Sequence, residues 1–124
     1  MKKILLISLL IFFKQTAFSQ WTALNSGVSD NLYGVHFVNS TLGFAVGSNG
    51  CIIRTDNAGS TWTKLNSGTT TGLSSIWFLN SSTGIAVGGN GLILRTTDGG
   101  NNWNPVASGV TQGLSKVIFI NSSV

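Results

Sequence analysis

Apolar and polar positions alternate along the chain in short runs that suit β-strands. Apolar and aromatic runs such as LYGVHFVN (32–39), GFAVG (43–47) and CIIRT (51–55) are separated by clusters of Ser, Thr, Asn and Gly. Runs of this length and composition, bounded by turn-forming residues, predict strands. No apolar period of 3.6 residues runs long enough to indicate a helix, and glycine recurs every few residues. The pattern therefore predicts an all-β fold.

The same order of strands and turns returns after 41 residues. Trp21, Trp62 and Trp103 mark this period, and 20 of 41 positions are identical between 21–61 and 62–102. Each unit contains four candidate strands and an Asn-Gly pair, a hairpin turn in which both residues need positive φ. A four-stranded antiparallel unit of about 40 residues, repeated in tandem, is typical of a β-propeller blade.

The repeat sets the expected domain organisation. We predict an outer strand at 21–27, one blade at 28–67, a second at 68–108 and the start of a third at 109–124. Propellers close with roughly 4–8 blades, so we expect an open, partial β-propeller that is an N-terminal fragment of a larger protein. The loops 27–31, 68–72 and 109–113 should lie at the same end of the sheets as the Asn-Gly turns.

Residues 1–19 have the organisation of a secretory signal peptide. Lys2 and Lys3 precede the apolar run Ile4–Phe13, and the small residues Ala17 and Ser19 stand before Gln20. This order predicts cleavage before Gln20, and the run is too short to span a membrane, which needs about 20 residues. We therefore expect 20–124 to be secreted, extracellular or on the cell surface, with the periplasm also possible.

Without that leader, the chain has four basic residues and three aspartates, so its formal charge is +1 rather than +4. This near-neutral chain lacks the clustered basic face that nucleic-acid binding needs, and nothing in it indicates a homo-oligomer. Cys51 is the only cysteine and aligns with Leu92, which predicts a buried thiol. His36 aligns with Trp77 and Ile118, which favours a packed side chain over a catalytic one.

The turns between the third and fourth strands share the motif T-x-[DN]-x-G-x-[TN]-W. It occurs as TDNAGSTW (55–62) and TTDGGNNW (96–103), and its fixed positions are Thr55, Asn57, Gly59, Trp62, Thr96, Asp98, Gly100 and Trp103. Calcium takes about 6–8 oxygen ligands, whereas each turn offers one good candidate. We therefore predict structural turns without metal or cofactor, closed by the Asx side chain and a positive-φ glycine. Trp62 and Trp103 should be substantially buried, and Trp21 less so.

This motif resembles the Asp-box of the BNR-repeat families. The longer pattern F[VLI]NS…G[FI]AVG…[IL]RT…G…W resembles the propeller family typified by the photosystem II assembly and stability factor, in its secreted bacterial form. Phe44 and Ile85 stand where that family often has tryptophan, and Asn57 replaces the box aspartate. The resemblance implies surface arginines that contact partner proteins, which makes Arg54 and Arg95 candidates.

Two functions follow from these residues. The first is a non-catalytic module that binds or scaffolds a protein or carbohydrate ligand, with Arg54, Arg95, Asp30, Thr71 and Gln112 as candidate partner-binding residues. The alternative is the N-terminal part of a propeller glycoside hydrolase, sialidase-like or xyloglucanase-like, with catalytic acids beyond Val124. Glycoside hydrolysis usually needs two carboxylic acids, and Asp30 is the only one outside the boxes.

Overall fold

The chain folds into two four-stranded antiparallel sheets in the computed structural model, which describes residues 20–122. The first sheet contains β1 (Leu32–Phe37), β2 (Gly43–Gly47), β3 (Ile52–Thr55) and β4 (Thr63–Leu65) in sequence order. The second contains β5 (Leu73–Phe78), β6 (Gly84–Gly88), β7 (Ile93–Thr96) and β8 (Asn104–Val106). These sheets confirm the predicted all-β fold of propeller blades, and we call them the first and second blade.

The proposed signal peptide, 1–19, lies outside the described residues. Between residues 20 and 122, no helix is long and apolar enough to cross a membrane.

The Asn-Gly turns have the backbone geometry expected from the sequence. Asn49 and Gly50 have φ values of 55° and 66°, and Asn90 and Gly91 have 56° and 69°. The glycine is required for a second reason, because a Cβ at Gly50 would overlap the carbonyl oxygen of Thr69. The turn of one blade is therefore packed against the loop that leads into the next.

Backbone hydrogen bonds fix which loops lie at each end of the blades. At one end the Ser48 N–H donates to the Asn31 carbonyl at 2.8 Å, and the Gly89 N–H donates to Gly72 at 3.0 Å. These bonds place the Asn-Gly turns beside the loops 27–31 and 68–72, as predicted, and we call this the loop end. At the opposite box end, the Ala58 N–H donates to the Thr41 carbonyl at 2.9 Å.

The two blades are held together by one apolar layer. Phe44, Val46 and Ile52 of the first blade form a surface that we call the Phe44 face, and each is fully buried. It packs against the Trp103 face of the second blade, formed by Ile76, Phe78, Ala86, Leu94 and Trp103. The rings of Phe44 and Phe78 stack with centroids 3.8 Å apart, and Trp103 meets Phe78 edge-on at 5.9 Å. Full burial of each large apolar side chain contributes roughly 1.5–3 kcal/mol.

The three repeat tryptophans differ in environment because of this stacking. Trp103 is 8% exposed, which confirms its predicted burial, and Trp21 is fully exposed. Trp62 is partly buried, less completely than Trp103. It contacts the small cluster of Ala45, Cys51 and Ile53 and meets Phe37 at 6.2 Å. Among the described residues, no second sheet covers this side of the first blade.

Two segments expected to form strands do not do so. Residues 21–27 contain no strand. The start of the third blade, described to residue 122, also contains none. It nevertheless follows the second blade, because the Leu114 N–H donates to the Gly88 carbonyl at 2.9 Å and the Val117 N–H to the Ser75 hydroxyl at 3.2 Å.

The blade interface makes Trp103 more important to stability than its repeat partner. Trp103→Ala should lower the free energy of unfolding by about 3–5 kcal/mol, because it empties a buried aromatic position. Trp62→Ala should cost less, because water already reaches part of the ring in the folded state. Urea unfolding followed by circular dichroism measures both losses, and equal losses would contradict the stacking asymmetry.

Candidate functional site

The second box turn, 96–103, is organised around a buried threonine. Thr96 is fully buried, and its hydroxyl donates to Asp98 Oδ1 at 2.9 Å while accepting the Gly100 N–H at 2.9 Å. Asp98 then reaches forward four residues. Its Oδ1 accepts the Asn102 N–H at 2.9 Å, and its Oδ2 accepts the Asn102 side-chain amide at 2.7 Å. Gly100 has a φ of 91°.

The first box turn, 55–62, repeats this arrangement with one reversed hydrogen bond. The Thr55 hydroxyl donates to Asn57 Oδ1 at 2.9 Å and accepts the Gly59 N–H at 2.9 Å. Asn57 Oδ1 accepts the Thr61 N–H at 2.9 Å, but Asn57 Nδ2 donates to the Thr61 hydroxyl at 2.8 Å. The residue four positions after the Asx side chain therefore matches it: the Thr61 hydroxyl accepts from Asn57, and the Asn102 amide donates to Asp98.

These contacts use the box oxygens within the turn itself. A cation such as calcium needs about 6–8 oxygen ligands, and each box presents a single Asx side chain already bonded to its own backbone. Across residues 20–122, no three His, Cys, Asp or Glu side chains are grouped so that they could hold a metal ion. The arrangement can close a turn and present a tryptophan to the blade interface.

The role of Thr55 and Thr96 was not deduced from the sequence. Both are fixed positions of the motif, but the motif alone predicts a turn closed by the Asx side chain and the glycine. The available signal was the recurrence of threonine at the same place in both units, where a solvent-exposed residue would be free to vary. A buried hydroxyl needs hydrogen-bond partners, and the turn supplies them.

The hydrogen bonds from Asn102 hold the pKa of Asp98 below its ordinary value. A lowered folded-state pKa means that this stabilisation is present above the unfolded-state pKa and is lost as the pH falls through the folded-state value.

We therefore expect Asp98→Asn to lower the urea midpoint slightly at neutral pH. The difference from the wild type should shrink as the pH falls below about 3.9, the unfolded-state value, and vanish below the folded-state pKa of Asp98. Adding Asn102→Thr should recover the neutral-pH loss, because it recreates the Asn–Thr pair of the first box. A large loss for Asp98→Asn that persists in acid, or a lower midpoint after chelator treatment, would contradict a purely structural turn.

Both boxes have a left-handed residue at one equivalent position, but the residue itself differs. Ala58 has a φ of 58°, whereas its counterpart Gly99 has a φ of 71°. The left-handed conformation costs a residue with a Cβ about 1–2 kcal/mol. The exposed Ala58 therefore carries strain that the second box avoids.

Ala58→Gly should stabilise the protein by a few tenths to about 1 kcal/mol, because relief of the strain exceeds the extra chain entropy of glycine. Gly99→Ala should destabilise it by about 1 kcal/mol or more, since its Cβ would also lie 3.2 Å from the Ser81 carbonyl oxygen. Paired urea titrations test the opposite signs, and a loss for Ala58→Gly would contradict this account.

The candidate arginines have different surroundings. Arg54 bonds to Asp56 at 2.7 Å, donates through Nη1 to the Gly99 carbonyl at 3.2 Å, and lies 5.8 Å from the centre of the Phe44 ring. It therefore connects the first blade to the box of the second. Arg95 is exposed and makes no hydrogen bond or ion pair within the described chain.

The three candidates at the loop end occupy the same position in successive units. Asp30 accepts Asn49 Nδ2 at 3.0 Å and Lys64 Nζ at 2.9 Å, and these partners hold its pKa below the ordinary value. Thr71 is half-buried and Gln112 is exposed. The structure thus separates the five candidates, because the arginines belong to the box end and the other three to the loop end. A shallow hollow of about 510 Å³ also opens at the loop end, lined by Asn66, Gly68, Thr69 and Thr70.

His36 and Cys51 are packed, as expected. His36 Nε2 lies 3.1 Å from the Phe78 carbonyl oxygen and its ring lies 4.3 Å from that of Trp77, while burial lowers its pKa. Cys51 is a fully buried free thiol, and burial raises its pKa above the ordinary value. Cys51 lacks the exposure expected of a nucleophilic thiol, and the His36 ring is occupied by its contacts with Trp77 and the Phe78 carbonyl.

The stacked blades and their two box turns define a repeat protein of the β-propeller class. The family model described as photosynthesis system II assembly factor YCF48 matches residues 13–114, and the chain belongs to this family. A comparison with curated proteins finds no match.

Solved structures agree with this assignment. The chain resembles "YCF48 bound to D1 peptide" with 26% identity and a TM-score of 0.62, over 70% of this chain and 30% of that one. It also resembles YCF48 from Cyanidioschyzon merolae with a TM-score of 0.62 and the same coverage, and the 23% identity there supports the fold alone. The chain spans 30% of the length of these two structures.

Proposed function

We propose that the chain is an exported, non-catalytic propeller module that binds a protein partner. The observation that carries the proposal is the structure of a 26% identical YCF48 with a bound D1 peptide, since the similarity covers 70% of this chain. Export is supported by the leader-like residues 1–19. The comparisons give no support to a carbohydrate ligand.

The hydrogen bonds and ion pairs of the acidic side chains favour a binding role over hydrolysis. The chain has three acidic residues. Asp30 bonds to Lys64 and Asn49, and Asp56 bonds to Arg54. Asp98 accepts hydrogen bonds from Asn102 within its box. Acid–base hydrolysis of a glycoside usually needs a pair of carboxyl groups facing one substrate bond. The alternative of a glycoside hydrolase therefore requires acids from outside this chain.

We place the partner surface at the loop end, on 68–72 and 109–113. At the box end, Asn57, Asp98 and Arg54 are held by hydrogen bonds, while Arg95 is exposed. At the loop end, Thr70 and Gln112 are exposed. The hollow lined by Asn66, Gly68, Thr69 and Thr70 lies beside them. Hydroxyl and amide side chains provide adaptable hydrogen bonds to a protein surface, and a fixed frame of strands holds them in place.

The D1 peptide of the related structure is the probe for this proposal. Titration followed by tryptophan fluorescence should show saturable binding. Thr70→Arg combined with Gln112→Arg should weaken it about tenfold or more, because the larger charged side chains fill the loop surface. Thr97→Arg, which adds one charge to the exposed box end, is the matched control and should have little effect.

Absence of saturable binding would show that peptide recognition does not carry over from the related protein. An equal loss in the Thr97→Arg control would place the surface elsewhere.

A further inference from the structure

The first strands of successive units lie side by side. β1 and β5 are the first strands of the two sheets, and they contact each other across the blade boundary. His36 Nε2 of β1 lies 3.1 Å from the Phe78 carbonyl oxygen of β5, and the Val117 N–H donates to the Ser75 hydroxyl of β5 at 3.2 Å. Propeller blades are arranged around a central channel. The unpaired edges of β1, β5 and the segment 114–117 therefore face the channel axis rather than a neighbouring blade.

A hollow of about 320 Å³ lies among these three segments, and we call it the axial hollow. Its polar lining consists of the hydroxyl residues Tyr33, Ser74, Ser75 and Ser115 together with Lys116. No acidic side chain is among the described residues that line it. Ligand sites occupy about 300–1,000 Å³ and carry a few placed polar groups, so the axial hollow has the size of a site for a small molecule.

The repeat brings the hydroxyl groups together. Tyr33, Ser74 and Ser115 are spaced 41 residues apart and occupy the same position in successive units. Equivalent positions of neighbouring blades lie at the same level along the axis, so each unit contributes a hydroxyl to one level of the hollow. The first strands thus present several donors to a single point from different directions.

These donors are available to a ligand. Within residues 20–122, the hydroxyls of Ser74 and Ser115 make no hydrogen bond, and the exposed Lys116 has no ion-pair partner. The Ser75 hydroxyl accepts the Val117 N–H, which leaves its own proton free to donate. An ammonium group beside several free hydroxyls, with no carboxylate among them, favours an anion.

The remaining lining is apolar. Ile76, Trp77 and Val117 form this part of the hollow, and the Trp77 ring is held by the His36 ring at a centroid distance of 4.3 Å. A phosphate needs polar contacts on all sides, and an apolar wall leaves some of its oxygens without partners. A carboxylate carries its charge at one end only, so an apolar body attached to it can face this wall.

We infer that the axial hollow binds a small organic carboxylate with an apolar body. The Lys116 ammonium pairs with the carboxylate, and the hydroxyls of Ser74 and Ser115 donate to its oxygens. The apolar body packs against Ile76 and Trp77. This site is separate from the partner surface proposed at the loop end, and neither requires the other.

Calorimetric titration with hydrocinnamate, an aromatic carboxylate, tests the inference on the unmodified protein. Binding should be saturable. Hydrocinnamamide has the same shape without the charge and should bind about tenfold more weakly or worse. Acetate should also bind about tenfold more weakly or worse, because it keeps the charge but lacks the apolar body.

Variants locate the site. Lys116→Met removes the charge from a side chain of similar length and should weaken hydrocinnamate binding about tenfold or more, whereas Lys116→Arg should retain it. Arg95→Met is the matched control, because it removes the same charge from an exposed position at the box end and should bind like the wild type. Ser115→Ala should weaken binding about threefold or more, since one donor is lost.

Three results would overturn the inference. The first is no saturable binding of hydrocinnamate, and the second is equal affinity for the acid and the amide. The third is an equal loss for Arg95→Met and Lys116→Met, which would show attraction to overall charge rather than to this hollow. Circular dichroism checks that each variant is folded, and the comparison of acid with amide needs no variant.

Discussion

The stack of Phe44 on Phe78 is the contact on which the rest of the structure depends. A four-stranded sheet of this size has two apolar faces and cannot bury either of them alone, so the blade becomes stable by packing against a neighbour. The two rings lie nearly parallel with their centroids 3.8 Å apart, and Trp103 packs edge-on against Phe78. The box turn positions this tryptophan, and Arg54 connects the layer to the next box. Strand order, turn geometry and side-chain identity thus converge on one surface.

Much of this architecture could be predicted from residues that repeat. The Asn-Gly pairs predicted both positive φ values, and the strand directions predicted which loops share an end. The half-buried state of Trp62 could not be predicted in the same way, because periodicity treats equivalent positions alike. Burial depends on whether a neighbouring blade is present, which is a property of the stack rather than of the 41-residue unit.

The candidate site was harder to predict, because a single unit does not reveal what each side chain contacts. Arg54 and Arg95 are identical residues at equivalent positions, yet one joins two blades and the other is exposed. Asp30 accepts hydrogen bonds from Lys64 and Asn49, contacts that its own unit does not reveal. The hydroxyls of Thr55 and Thr96 explain the box turns better than the Asx side chain alone. In each case the deciding contact comes from another part of the fold.

The repeated interface also bears on how genes for such proteins change length. Each blade has a face that receives the next blade and a face that fits the previous one. Insertion or loss of 41 codons anywhere in the array therefore leaves every remaining junction with the same pair of surfaces. A change of about half that length would instead leave strands unpaired. Unequal recombination between the near-identical segments WTALNSG and WTKLNSG would produce the tolerated kind of change, so blade number can drift while the packing chemistry is retained.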